Sequence, residues 1–102
     1  MHLAPLMLTS AALLSACASV MIGDARAYGR IHDVSIADIH AAIEVDRRDS
    51  HYAIKTIYEI EVISADEIHL FHERRTDAKA EYDIMKRVRG TWRFIRSEII
   101  VG

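Results

Sequence analysis

Leu3 to Ile22 is almost wholly apolar or small, and beyond that point apolar residues become periodic. Gly23 to Arg30 is mixed and reads as a linker or frayed arm. Ser35 then offers a helix N-cap, with Asp38 at the third helical position and Val34 and Ile39 placed as a hydrophobic staple. Ile36, Ile39 and Ile43 recur at helical spacing, which predicts a helix from about Ile36 to Val45. Asp46-Arg47-Arg48-Asp49-Ser50 reads as a charged loop.

From His51 onward the period falls to two. Ile54, Thr56, Tyr58, Ile60 and Val62 fall on one strand face, and Lys55, Glu59 and Glu61 on the other. Ser64-Ala65-Asp66 is a turn, after which Ile68, Leu70 and His72 return on the apolar face. A three-residue turn sets Val62 opposite Ile68, Ile60 opposite Leu70 and Glu61 opposite His69. Arg74 to Lys79 is a polar connection. Ala80, Tyr82, Ile84 and Val88 predict the apolar face of a third strand, with a bulge where Lys86 breaks the phase. Gly90-Thr91 suits a two-residue hairpin turn. Trp92 and Phe94 share a face of the last strand, and Ile99 and Val101 are out of phase with them, so a kink is expected near Ser97. The predicted class is α+β: one helix packed on a four-stranded antiparallel meander over residues 31–102.

Charge sharpens the division of the chain. It has 102 residues with 13 Lys+Arg and 15 Asp+Glu, yet the first acid is Asp24 and the first base Arg26. The near-neutral balance gives no reason to expect a nucleic-acid partner. Cys17 is the only cysteine, so no internal disulfide can form. Once the N-terminal segment is removed, about 75–85 residues remain, and a domain of that size buries only roughly 60% of its unfolded surface. A partner or a second copy would supply the missing burial.

Leu14-Ser15-Ala16-Cys17 resembles the lipobox of bacterial lipoproteins, in which the peptidase cuts before a lipidated cysteine. The resemblance implies a signal peptide over residues 1–16, a lipid anchor to the membrane on Cys17, and a tether or flexible arm over 17–30. Ala18 is not the aspartate tied to inner-membrane retention, which implies an outer-membrane lipoprotein facing the periplasm. Ala25-Arg26-Ala27 also fits a small-x-small cleavage site. In that alternative the signal is 1–27 and a soluble periplasmic or secreted chain begins at Tyr28. A third reading is an uncleaved anchor, since about 20 apolar residues can span a bilayer.

Lys86-Arg87-Val88-Arg89-Gly90-Thr91-Trp92-Arg93-Phe94 resembles the closing hairpin of NTF2-like proteins. The resemblance implies a curved sheet against a helix, as in the related cystatin-like arrangement. The chain lacks the two further N-terminal helices of that family and has no residues matching its catalytic Asp/His pairs.

Chemistry is sparse. His69 and His72 lie three apart, which on a strand puts them on opposite faces and disfavours a joint metal site. His32-Asp33 reads as a solvated pair, and His40 faces solvent or the sheet edge. Glu59 and Glu61 form a wet face balanced by Lys55 and His69. No Gly-x-Ser-x-Gly elbow or Gly-rich phosphate loop occurs, so no catalytic residue, metal or cofactor is assigned. Lys86, Arg87, Arg89, Arg93 and Arg96 fall within eleven residues and form a candidate docking patch for anionic headgroups or an acidic protein.

The sequence thus suggests an exported, lipid-anchored envelope protein with a non-enzymatic binding or accessory role, its partner an envelope protein or a second copy. One alternative is an inhibitor or immunity-type domain, which would present a protruding loop at Asp46–Ser50 or Arg74–Lys79. The other is a minimal NTF2-like enzyme, which would enclose a pocket of roughly several hundred Å³.

Overall fold

The computed structural model describes residues 19–50, 55–73 and 78–101. Their elements run β1 (Val20–Ile22), β2 (Ala25–Gly29), a 3₁₀ turn (Ile31–Asp33), α1 (Ile36–Asp49), β3 (Ile57–Ser64), β4 (Glu67–His72), β5 (Ala80–Val88) and β6 (Thr91–Ile100). The six strands form one sheet in sequence order. All neighbours are antiparallel except β2 and β3, which are parallel. Parallel neighbours need a crossover, and α1 is that crossover. The class is α+β, with β3 to β6 a sequential antiparallel run.

The sheet is larger than the predicted four-stranded meander because a hairpin, β1–β2, is added beside β3. Val20–Gly29, expected as a tether, is therefore part of the fold. Ile22, Ala25 and Ala27 are 8%, 4% and 0% exposed and belong to the core cluster. Small residues at Ala25 and Ala27 alternate with the outward Arg26 and Tyr28, a strand pattern that looks like a linker by composition. Gly29 ends β2 at φ +86°, and a Cβ there would sit 2.6 Å from the Val62 carbonyl oxygen. Glycine is thus what lets β2 close against β3, where the Arg30 N–H donates to Val62 O at 2.8 Å.

The start of α1 follows the sequence. Asp38 N–H donates to Ser35 Oγ at 3.0 Å, and Ser35 N–H donates to Asp38 Oδ2 at 3.2 Å, closing a capping box. Val34 and Ile39 pack in the core. The helix end differs: it runs through the expected loop to Asp49, so Asp46–Asp49 is helical and no loop protrudes there. Ile39, Ala42, Ile43 and Asp46 form the buried stripe, while Ile36 is 56% exposed.

The β3–β4 register is the one expected: Val62 faces Ile68, Ile60 faces Leu70 and Glu61 faces His69. It arises through a tighter turn at Ala65-Asp66 plus a bulge at Ile63. A second irregularity at Tyr58 turns that side chain outward, where it is 42% exposed. Residues 51–54, where the strand was expected to begin, lie outside the described residues, and β3 starts at Ile57.

β5 reverses the predicted face. Glu81, Asp83 and Met85 are buried, with Asp83 and Met85 at 1% and 0% exposed. Tyr82 pairs with Phe71 and Glu98 on the other face. Carboxylates are read as outward because burying an unpaired charge is expensive; here they are paired. The β5–β6 turn is Arg89-Gly90, one residue earlier than expected. Both residues have positive φ, 54° and 79°, the conformation of a type I′ turn. The predicted kink is a bulge at Ile95, between the pairs Ile84–Arg96 and Met85–Phe94.

Candidate functional site

The most unusual feature is a sealed charged cluster at the C-terminal end of α1. Asp46 projects from the helix stripe, Lys55 from the approach to β3, His72 from β4, and Glu81 and Asp83 from β5. All five side chains are 3% exposed or less. Lys55 Nζ lies 2.8 Å from Asp46 Oδ2 and 2.5 Å from Asp83 Oδ2, and it donates to Ser50 Oγ at 2.6 Å. Ser97 Oγ donates to Asp83 Oδ1 at 2.6 Å, and His72 Nε2 lies 3.2 Å from the same oxygen. Glu81 Oε2 is 3.7 Å from His72 Nε2, and His72 Nδ1 is 2.9 Å from the Glu73 carbonyl. Despite the 2.8 Å approach of Lys55, neither Asp46 oxygen accepts a well-directed hydrogen bond.

These environments split the two aspartates. Burial, then the Asp83 carboxylate beside it, pushes Asp46 up to about 7. Burial alone would also raise Asp83, but hydrogen bonds with Asp46, Lys55 and Ser97 outweigh it and hold Asp83 at about 2. At mild acidity the cluster therefore holds one proton on Asp46 and a charge pair between Lys55 and Asp83.

The consequence for stability follows from linkage. Asp46 keeps its proton in the fold up to about pH 7 but has an ordinary value of 3.8. The folded chain thus binds more protons across that window, and stability falls as pH rises through it. Asp83 is the opposite case: its contribution is present above its ordinary 3.8 and is lost as pH falls toward 2. The urea midpoint is expected to peak in mild acid and decline toward neutrality. A midpoint rising steadily from pH 5 to pH 8 would contradict this.

Beside the cluster lies an open cleft of about 360 Å³. It is bounded by the β1–β2 turn, the second half of α1 and the start of β3, with Asp24, His40, Glu44, Arg47 and Thr56 on its walls. Lys55 belongs to both places: it contributes to the cleft wall, while its ammonium reaches the two aspartates.

The predicted basic patch divides. Lys86 and Arg93 pair across the ladder on the face away from α1, and Arg96 is also exposed, bonded to Glu98 at 2.6 Å. Arg89 stands in the hairpin turn. Arg87 points the other way. Its guanidinium is 3.0 Å from Asp38 and 3.2 Å from Asp66, donates to the Ala65 carbonyl, and sits 5.1 Å from the Trp92 ring centre. Arg87 thus ties the start of α1 to the β3–β4 turn and to β6, and it is removed from the docking patch. Arg87→Ala is expected to cost about 1–3 kcal/mol in urea unfolding. Arg87→Lys should recover little, since an ammonium cannot reproduce the fork.

The remaining candidates separate as strand geometry requires. His69 is on the face away from α1, 2.7 Å from Glu67 and stacked on Tyr82 at 5.0 Å, while His72 is in the cluster. Glu59 binds Arg26 and Tyr28, each at 3.3 Å, on the same outer face as His69. Lys55 is not part of that face, contrary to expectation, because the two buried aspartates draw it inward. Asp33 pairs with Arg30 at 2.7 Å. Among the described residues no group of three His, Cys, Asp or Glu side chains is arranged so that it could hold a metal ion. Cys17, and residues 74–77 of the other expected docking loop, lie outside the described residues.

No protein-family model matches the chain, and no curated protein or solved structure does.

Proposed function

We propose that this is an exported envelope protein, anchored by lipid on Cys17 at the outer membrane, with a non-enzymatic binding or accessory role. One observation carries the reading. β1 begins at Val20, three residues after Cys17, and Ile22, Ala25 and Ala27 are core residues. Cleavage before Cys17 spares all of them. Cleavage before Tyr28 would discard β1 and most of β2. A folded domain is therefore compatible with the lipobox-like site and poorly compatible with the later one.

The non-enzymatic part rests on closure. Asp46, Asp83, Glu81 and His72 are the groups best suited to acid–base work, and they are turned on one another away from solvent. What the fold offers a partner instead is the sheet face opposite α1. Phe71 and Tyr82 lie 4.8 Å apart there, with Lys86 and Arg93 alongside. A second reading, a minimal NTF2-like enzyme, draws on the 360 Å³ cleft with its Asp24 and His40.

Cys17→Ala tests the anchor. The variant is expected to move from the membrane fraction into soluble or unprocessed protein when expressed in a bacterium with a lipoprotein pathway. Unchanged fractionation would remove the lipid from the account.

A further inference from the structure

The two edges of the sheet are unequal. β1 is three residues long, whereas β6 spans ten and pairs with β5 on one side only. A long open strand is a template for another strand, and proteins usually blunt such an edge with charge, bulges or cover. β6 has a bulge at Ile95 and carries Arg93, Arg96 and Glu98, yet it still exposes Ile95, Ile99 and Ile100 at 39%, 52% and 42%. The backbone on this edge is correctly turned for pairing. Ile100 O accepts from the Lys79 N–H at 2.7 Å, so the peptide groups of Ile100 point toward β5. Alternation then directs those of Ser97 and Ile99 to the open side.

We propose that β6 is a dimer edge, pairing antiparallel with β6 of a second copy about a two-fold axis at Ser97. The strand is complementary to itself in that register. Ser97 meets Ser97, Arg96 of each copy meets Glu98 of the other, and Ile95 meets Ile99. Arg96 and Glu98 lie on the same face, opposite Ile84 and Tyr82 in the ladder, so the four charges alternate in sign across the axis. Moving the axis one residue either way sets Arg96 against Arg96, or Glu98 against Glu98. The register is thereby chosen by charge. The dimer joins two six-stranded sheets into one and covers the apolar edge residues. It is an interface additional to the sheet face proposed above, stands on β6 alone and does not require the lipid anchor.

The test uses the full chain in mild detergent with reductant, which excludes cross-linking through Cys17, and reads mass by light scattering across a dilution series. Wild type is expected to dimerise. Arg96→Glu or Glu98→Arg should weaken the dimer at least tenfold, and the double reversal R96E/E98R should restore it to within a few-fold. Arg48→Glu makes the same charge change on the exposed surface of α1, away from β6, and should leave the dimer intact. Thermal melts of these surface variants check that each one folds. A monomeric wild type, single reversals that dimerise normally, or a double reversal that stays monomeric would each overturn the proposal.

Discussion

Replacing Lys55 with Met is expected to remove a large part of the domain's stability, about 3–5 kcal/mol in urea unfolding followed by Trp92 fluorescence. The size comes from what is left behind. Lys55 Nζ is the cation between two aspartates that are 0% and 1% exposed, and Met cannot reach their charge. Small domains hold only about 5–15 kcal/mol in total, so such a loss is a large fraction. Asp46→Asn should behave differently. With Asp46 pushed up to about 7, the amide resembles the protonated acid already present, and the cost should stay below about 1 kcal/mol. The same variant should flatten the fall in stability between mild acid and neutrality. Equal costs for K55M and D46N would show that the proton is not on Asp46.

The second large effect concerns where the domain begins. A chain lacking residues 1–16 is expected to fold, and one lacking 1–27 is not. The longer deletion removes Ile22, Ala25 and Ala27 and strips β2 from β3, exposing an edge over Ile60 and Val62, which are 0% and 1% exposed in the intact sheet. Losing one buried isoleucine costs about 2–5 kcal/mol, before the broken strand pairing is counted. Circular dichroism and urea unfolding of the two truncations distinguish them. A cooperative transition in the shorter chain would mean that β1 and most of β2 are dispensable.

The contrast between legible and illegible parts has a physical cause. The N-cap at Ser35 and the β3–β4 register are legible because each depends on residues close in sequence, whereas the last hairpin turns at Arg89-Gly90 rather than Gly90-Thr91 and bulges at Ile95 rather than Lys86. β1 and β2 are not legible, because Ala25-Arg26-Ala27 has little apolar bulk and is a strand only once β3 lies beside it. The charged cluster was missed for a related reason. Asp46 continues the Ile39–Ile43 stripe by three residues, and Glu81 and Asp83 alternate in step with Met85. Both patterns place them inward. Polarity argued them outward, since their partners come from four separate elements and no local pattern joins these. A polar residue that keeps an apolar period is the signal that could have found them. Arg87 shows the converse: its neighbours suggested a surface patch, but Asp38 and Asp66 claim it.

The central claim is that the working chain starts at Cys17, immediately before the sheet. Intact mass measurement of the protein recovered from a bacterial envelope tests it most directly. The account predicts a chain beginning at Cys17 whose mass exceeds that of the polypeptide by a diacylglyceryl group. A mature chain of unmodified mass beginning at Tyr28 would contradict it.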